Sequence, residues 1–425
     1  MSRAMKDSGV PWLKEIPVDW KVERGKNVLA LQKRPVRDND EVVTCFRDGE
    51  VILRSLRRTE GFTMSDKEIG YQGINEGDIV IHGMDGFAGA MGVSKSTGKG
   101  SPVLIVCTPK YDAIPQYIIY YLRALAMTDV FVALATGIRE RSCDLRWNKV
   151  SELEFIMPSS SEQQAIVEFL DRKCAEVDEM IALQEQIIEE LKAYKQSVIT
   201  EAVTKGLNPD APMRDSGFEW IGQIPEHWGK DKIIRAFRMI GSGTTPKSTD
   251  ESNFDGDINW IQSGDINGGI MTSCKNRVSN ETVANCSALK VYSAPFIIVA
   301  MYGASVGNTS ISTIDGCVNQ ACCVLGSSAL NFSYAFSVIK SCKDYWLRKA
   351  VGGGQPNISQ DTIKQTWIPI PSIDEQQAIA DYLDKKCADI DSLIQTKQEK
   401  IDSLKEYKKS IIYEYVTGKR EVELV

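Results

Sequence analysis

Only two histidines occur in 425 residues, no C-x-x-C pair occurs among eleven cysteines, and no apolar run approaches the ~18–20 residues a membrane-spanning helix needs. Each shortage excludes something. His82 lies on an apolar run and reads as a hydrogen-bonded structural residue, while His227 sits in a repeated leader where its counterpart is Asp19. That leaves no material for a Ser-His-Asp site or a histidine-rich metal centre. Cysteines that are scattered and odd in number argue against a disulfide framework or zinc knuckle, so buried free thiols are expected. The N-terminus lacks the basic-then-apolar order of a signal peptide, and a cytosolic protein is expected. Nucleotide motifs are missing too: there is no G-x-G-x-x-G and no Asn/Asp-Pro-Pro-aromatic tetrapeptide. "GVSKSTGKG" (92–100) misses a phosphate-binding loop by one residue of spacing, with Gly100 where Ser or Thr should hold magnesium.

The length exceeds one ordinary core, and 43% hydrophobic residues suffice for at least two domains. A net charge of −7 argues at first against a nucleic-acid partner. Its distribution softens this. Glu162 to Lys205 carries ten acids and five bases and Asp374 to Thr417 ten and seven, whereas 21–158 holds nineteen bases to eighteen acids and 229–371 thirteen to ten.

Those acidic segments are a repeat. "EQQAIVEFLDRKCAEVDEMI" (162–181) returns as "EQQAIADYLDKKCADIDSLI" (375–394), 213 positions on, with 12 of 20 residues identical. Ser159-x-x-Glu162 and Ser372-x-x-Glu375 are capping boxes following Pro158 and Pro371, and Gly206 and Gly418 suit C-terminal caps. About 44 uninterrupted residues would make a helix of roughly 66 Å. Alternating steps of four and three give a coiled-coil seam: Leu170, Cys174, Val177, Ile181, Gln184, Ile188, Leu191, Lys195, Val198 and Ala202 in the first copy, Leu383, Cys387, Ile390, Ile394, Lys397, Ile401, Leu404, Lys408, Ile411 and Tyr415 in the second. Polar interruptions at Gln184/Lys397 and Lys195/Lys408 read as alignment marks between two antiparallel helices; outward snorkelling is the bland alternative. The echo extends to the leaders "MKDSGVPWLKEIPVDW" from Met5 and "MRDSGFEWIGQIPEHW" from Met213.

The chain is thus one unit written twice, with a pseudo-two-fold relation. The expected segments are a leader (1–20), a variable globular domain (21–158), a long helix (159–206), a linker with the repeated leader (207–228), a second variable domain (229–371), a second long helix (372–418) and a tail (419–425). Apolar runs such as "DIVIHGM", "VLIVCTP", "FIIVAMY" and "ACCVLG", with helical patterns at 115–127 and 332–342, predict an α+β class for both domains. Glycine-rich stretches punctuate them: "GMDGFAGAMG" (83–92), "GSGTTPK" (241–247), "SGDINGG" (263–269), "YGASVGN" (302–308) and "GGGQPN" (352–357). Glycine permits close backbone approach to a ligand, and neighbouring Thr, Asn, Gln and Lys can meet phosphates or base edges, though hairpin turns explain any one loop equally well.

"PSSSEQQAIVEFLD", "PSIDEQQAIADYLD", "GSGTTPK", "WIQSGDING", "MYGASVGNTSIS", "VGGGQPNIS" and "IGQIPEHW" together resemble the DNA-specificity subunit of type I restriction-modification systems, over essentially the whole chain. The resemblance implies two target-recognition domains separated by two long helices in an antiparallel coiled coil, each domain reading half of a split, asymmetric DNA site. It implies a non-catalytic chain that docks two adenine-N6 methyltransferase subunits, to which ATP-dependent restriction subunits, two of them expected, can add. S-adenosylmethionine, ATP and magnesium would belong to those partners, with no cofactor in this chain. Half-sites facing one side of a duplex would lie about 34–36 Å apart. Slightly basic domains imply weak DNA binding by the chain alone.

Carried onto matching positions, the DNA-facing residues of the second domain are Thr244, Thr245, Lys247, Tyr302, Asn308, Gln355 and Asn357, with Gln and Asn suited to adenine and Lys and Thr to phosphates. The first domain has "TGIRERSCDLRW" where the second has "VGGGQPNIS", so its candidates are Arg139, Arg141 and Lys99, with Arg54, Arg57 and Arg58 behind them. A scaffold without DNA contact is the rival reading; it keeps the helix repeat and leaves two variable domains unexplained.

Overall fold

A computed structural model describes residues 3–57, 69–128, 130–131, 145–352 and 354–422. The chain divides into two compact units: Met1–Glu185 with Gln398–Val425, and Gln186–Lys397. Each therefore contains the start of one long helix and the end of the other.

The globular part of the first unit holds a four-stranded antiparallel sheet in the order Leu29–Leu31, Leu104–Pro109, Ile79–His82, Met91–Val93, followed along the chain by the helix Pro115–Met127. In the second unit the order is Phe237–Gly241, Cys322–Ser328, Phe296–Ala300, Thr309–Ser312, with Ile270–Met271 added in parallel at the edge and the helix Phe332–Ser341 after it. The four shared strands follow one plan, and the α+β reading is borne out. Central strands read as continuous apolar runs because both faces are covered. Ile79 and Ile81 join one core cluster while Val80 joins another, and Ile297 and Val299 part from Phe296, Ile298 and Ala300 in the same way. A short strand pair closes each domain where it meets the long helix: Lys21–Arg24 with Glu154–Met157, and Gly229–Lys232 with Trp367–Ile370.

The long helices run Ser160–Lys205, 46 residues, and Ile373–Val416, 44 residues. Neither contains Gly or Pro, and Ala, Leu, Glu, Gln and Lys recur throughout, all low-cost helix residues. Ser372 and Glu375 cap each other reciprocally at 3.3 and 3.2 Å. At the first helix only half of the expected box forms: Glu162 N–H donates to Ser159 Oγ at 3.3 Å, and the Glu162 carboxylate turns instead to Arg3 and Trp20. Gly206 and Gly418 follow the helices with φ of 77° and 71°, the left-handed conformation that ends a helix cheaply only at glycine.

Within the first unit Phe169 lies against Tyr415 with ring centroids 4.4 Å apart, and Lys408 Nζ donates to the Asp178 carboxylate at 2.6 and 2.7 Å. One helix ascends as the other descends, so the pair is antiparallel. The second unit repeats the bond with the partners exchanged: Lys195 Nζ donates to Asp391 at 2.6 and 2.7 Å. Both lysines sit on the seam, partly buried, and act as the alignment marks expected of them. Gln184 and Lys397 make no side-chain hydrogen bond among the described residues. Leu170, Val177, Ile188, Val198, Leu383, Ile390, Ile401 and Ile411 are buried, and Ile181, Leu191, Ile394 and Leu404 half-buried. Between 390 and 410 the only residues not exposed are Ile390, Ile394, Lys397, Ile401, Leu404 and Lys408, the three-four spacing of a coiled-coil seam.

The leaders recur because each performs the same task. Trp20 Nε1 donates to Glu162 at 2.9 Å, and Trp228 Nε1 to Glu375 at 3.0 Å. Gln163 and Gln376, both nearly fully buried, donate to the carbonyls of Pro158 and Pro371 and accept from the N–H of Ile114 and Asn331. These bonds fix each helix start to its domain. Burial would raise the Glu375 carboxyl, but hydrogen bonds from His227, Trp228 and Ser372 outweigh it and hold the group at about 2.

All ten described cysteines are free thiols, buried or half-buried, with Cys45, Cys107 and Cys323 pushed up to about 12 by burial. His82 accepts from the Asp85 N–H at 3.0 Å, and burial lowers its pKa, in keeping with a structural role. Among the described residues no helix is long and apolar enough to cross a membrane, and no group of His, Cys, Asp and Glu could hold a metal ion.

Candidate nucleic-acid interface

In the second unit five loops leave one region of the sheet and are tied together in sequence. Ser242 Oγ donates to Cys322 O at 2.8 Å as the strand Phe237–Gly241 ends, and Trp260 Nε1 donates to Thr244 O at 3.2 Å. Gly243 passes so close to the Val318 carbonyl that any Cβ would collide, which explains the glycine in "GSGTTPK". Thr245 Oγ1 then bonds Gln320 at 2.7 Å, Met301 N–H donates to Ala321 O at 2.7 Å, and Ile358 N–H donates to Met301 O at 2.9 Å. Asn308 Nδ2 reaches Ile266 O at 3.4 Å and brings in the loop of "SGDINGG", whose Gly268 carbonyl accepts from Lys340 Nζ.

All seven sequence candidates of this domain lie on that chain of loops, but their chemical availability differs. The Thr245 hydroxyl is committed to Gln320, and the Asn308 amide is held by Ile266 and by Lys343 Nζ at 2.9 Å. Thr244 is half-buried. Lys247, Tyr302, Gln355 and Asn357 are exposed, and their side chains make no hydrogen bond among the described residues. Tyr302, Gln355 and Asn357 line one open pocket of about 240 Å³, with Tyr302 and Asn357 joined as a backbone bridge. Four uncommitted polar groups on a tied loop surface are what base-edge and phosphate contacts require.

The first unit has the same scaffold with other side chains on it. Asp40 N–H donates to Arg37 O at 3.1 Å as Asp250 N–H does to Lys247 O at 3.2 Å, so Arg37 stands where Lys247 does. Gly83 N–H donates to Val103 O, and Leu145 N–H to Gly83 O, at 2.8 and 2.9 Å, matching Met301, Ala321 and Ile358. These loops enclose an open groove of about 890 Å³ lined by Lys33, Arg34, Tyr71, Gln72, Met84 and Arg146 among others. Lys33 and Arg37 are exposed, with no side-chain hydrogen bond among the described residues, whereas Arg34 is tied to the buried Asp78. Sequence reasoning missed Lys33 and Arg37 because "QKRPVR" (32–37) contains no glycine. The signal was present, since this stretch follows the leader tryptophan Trp20 at nearly the spacing by which "GTTPK" follows Trp228.

The remaining candidates of the first domain are placed differently. Arg57 stacks over Phe46, 4.2 Å from its centroid, and bonds Asp48 and Glu50, holding the Asp48 carboxyl below its ordinary range. Arg54 Nε donates to Thr44 Oγ1 at 3.0 Å, and Lys99 is a half-buried residue of the strand Gly98–Gly100, its N–H on Glu41 O. Arg58, Arg139 and Arg141 lie outside the described residues.

The family profile described as type I restriction modification DNA specificity domain matches residues 228–406. A putative type I restriction enzyme MjaX specificity subunit from Methanocaldococcus jannaschii is 24% identical over 96% of this chain and 95% of its own, and the EcoBI specificity subunit of Escherichia coli is 27% identical over 56% of this chain and 52% of its own. Among solved structures, a chain from a study of complex assembly and conformational transition of the type I R-M system superposes with a TM-score of 0.68 at 17% identity, over 95% of this chain and 99% of that one. The HsdS subunit from Thermoanaerobacter tengcongensis superposes with a TM-score of 0.51 at 18% identity, over 95% and 98%. The profile spans most of the second unit, and the first unit repeats the same order of four strands. The chain is similar over nearly its whole length to the specificity subunits of type I restriction enzymes, and it shares their fold.

Proposed function

We infer that this chain is the sequence-specific DNA-binding subunit of such a system, non-catalytic itself, recognising a bipartite asymmetric site with one half read by each domain. One observation carries the reading: two domains of one topology present equivalent loop surfaces with different uncommitted side chains, Lys247, Tyr302, Gln355 and Asn357 in one and Lys33 and Arg37 in the other. A symmetric frame bearing unequal readers fits unequal half-sites. The amides suit adenine, and the cations suit phosphate or guanine.

The partners are DNA, adenine-N6 methyltransferase subunits and ATP-dependent restriction subunits. A two-fold frame suits two copies of each. S-adenosylmethionine, ATP and magnesium then sit on the partners, and the work is done on chromosomal DNA in a prokaryotic cytoplasm.

Co-expression with the adenine methyltransferase encoded beside this chain, followed by single-molecule mapping of modified adenines, tests the reading. A split motif with two defined halves around a fixed gap is expected. An active methyltransferase in stable complex that leaves no motif refutes it in favour of a scaffold.

A further inference from the structure

Matched backbone bonds align one turn of the first domain with one turn of the second. His82 N–H donates to Ala90 O as Ala300 N–H does to Asn308 O, and five residues beyond those carbonyls Lys95 N–H donates to Val51 O as Thr313 N–H does to Met271 O. Val51 therefore stands where Met271 does, and four residues earlier Arg47 stands where Asn267 does. Both side chains are exposed, on turns that bend through a left-handed glycine, Gly49 with φ 95° and Gly268 with φ 91°. Each turn adjoins the loop that carries other reading candidates of its domain. Arg47 Nη2 donates to Asp85 in the loop 83–89 at 2.8 Å, and the Ile266 carbonyl accepts from Asn308 of the loop 302–308 at 3.4 Å.

The peptides around both tips are held. In the second domain Gly268 N–H donates to Ser310 Oγ at 3.1 Å, Gly268 O accepts from Lys340 Nζ at 3.2 Å, and Gly269 O accepts from Ile311 N–H at 3.0 Å. In the first, Phe46 N–H donates to Glu50 O and Gly49 N–H to Phe46 O, both at 2.9 Å, and Arg57 lies over the Phe46 ring with bonds to Asp48 and Glu50. A matched cation also joins each turn to the long helices of its own unit. Ile114 and Asn331 make the same bond to Gln163 and Gln376, and nine residues beyond them come Arg123 and Lys340. Lys340 bonds the turn at Gly268 and feels Lys195 and Asp391 of the helix pair. Arg123 lies against Gly49, where a Cβ would collide with its guanidinium, and acts electrostatically on Asp48. It lines a groove of about 660 Å³ with Asp178 and Lys408, the repeat counterparts of Asp391 and Lys195.

We propose that Arg47 and Asn267 are matched base-reading residues, one at the tip of each turn, and that Arg123 and Lys340 are positioning residues that set those tips from the helix pair. This rests on the recognition reading given above. A tied turn with an exposed tip is preorganised, so its ordering entropy is lost on folding rather than on binding. Arg47 uses one donor on Asp85 and keeps the rest of its fork, the geometry that meets guanine O6 and N7. The Asn267 carbonyl accepts from Gly269 N–H at 3.2 Å, which orients the amide and leaves its NH2 group and a second lone pair, the set that meets adenine N7 and N6. Unequal tips on equivalent turns suit unequal half-sites.

The test is competition binding by the full chain assembled with its methyltransferase, with every base of the split site varied singly at two salt concentrations. Asn267→Ala is expected to lower discrimination about 5- to 150-fold at one base pair of one half-site, and Arg47→Ala to do the same at one base pair of the other half, with all other positions kept. Lys340→Met should relax the same base pair as Asn267→Ala without changing the salt slope, and Lys340→Arg should restore it. Arg123→Met and Arg123→Lys should do likewise for the base pair of Arg47. Both alanine variants only shorten exposed side chains, so they carry the test even where a methionine variant folds poorly. Unchanged base preferences in either alanine variant overturn the proposal, as does uniform weakening with a lower salt slope, which would place these side chains on phosphates. Methionine variants that fold and weaken every position alike overturn the positioning role. A wild-type complex with no preferred split site would instead sink the recognition reading, whereas a wild type that prefers one while the alanine variants match it leaves that reading standing and refutes only the assignment of the tips.

Discussion

Gln355→Ala should erase sequence preference at one base pair of one half-site and leave the protein otherwise unchanged. The side chain is exposed and makes no hydrogen bond among the described residues, so its loss should change folding stability by no more than ~0.5 kcal/mol. If its amide meets an adenine edge bidentately, removal forfeits about 1–3 kcal/mol of discrimination, roughly 5- to 150-fold at that position alone. The rest of that half-site, and the half read by the first domain, should keep their preferences. Lys247→Ala supplies the contrast. An exposed cation on the same loop surface should weaken all sequences alike and lower the salt slope of log affinity by about 0.9. The assay is competition binding by the assembled methyltransferase complex, with every base of the site varied singly at two salt concentrations. Uniform weakening with a reduced salt slope in Gln355→Ala would show that the amide touches the backbone. An unchanged base profile would remove Gln355 from the interface and refute the inference from uncommitted side chains.

Three further outcomes follow from the frame. Ile401 is 1% exposed on the seam, so Ile401→Ala should cost about 2–5 kcal/mol in urea unfolding, while the exposed neighbour Lys400→Ala should stay within ~0.5 kcal/mol; equal effects would mean that the seam is misassigned. Asp178→Lys or Lys408→Asp alone should destabilise by up to about 1 kcal/mol and the two together should recover most of it, since the pair is partly solvated; no recovery would contradict the antiparallel register. Glu375 is held at about 2 against an ordinary 4.5, so it contributes stability above about pH 4.5 that is lost as pH falls towards 2. Glu375→Gln should flatten the acid limb of melting temperature over that window, and an unaltered limb would show that the bonds from His227 and Trp228 do not couple to folding.

The frame was legible because its signals are local and periodic. Seam spacing, capping serines and terminal glycines each lie within a few residues of what they specify, and the doubly covered strands announce themselves as unbroken apolar runs. Availability of the reading residues was not legible, because what removes a side chain from the interface is usually distant in sequence. Thr245 is silenced by Gln320 and Asn308 by Lys343, partners brought near only by the sheet. Arg57 is spent on Asp48 and Glu50, within ten residues yet with no periodic pattern to mark them. The half-formed box at Glu162 has the same origin: Arg3 lies 159 residues away and outcompetes the local partner.

How the loops are held explains why one frame can carry two readers. The bonds that match between units, from Leu145 to Gly83 and Gly83 to Val103, and from Ile358 to Met301 and Met301 to Ala321, all run backbone to backbone. Such bonds do not depend on side-chain identity, so Lys33 and Arg37 can occupy one surface and Lys247, Gln355 and Asn357 the other with the scaffold unaltered. The bonds that fix each domain to its helix are of the opposite kind. Trp20 to Glu162, Trp228 to Glu375, and the Gln163 and Gln376 amides on Pro158 and Pro371 all need a particular side chain, and those residues are the ones written twice. Identity is thus retained where a side chain builds the frame and released where the backbone does. That division lets the half-site read by one domain change without disturbing the other domain or the helices between them.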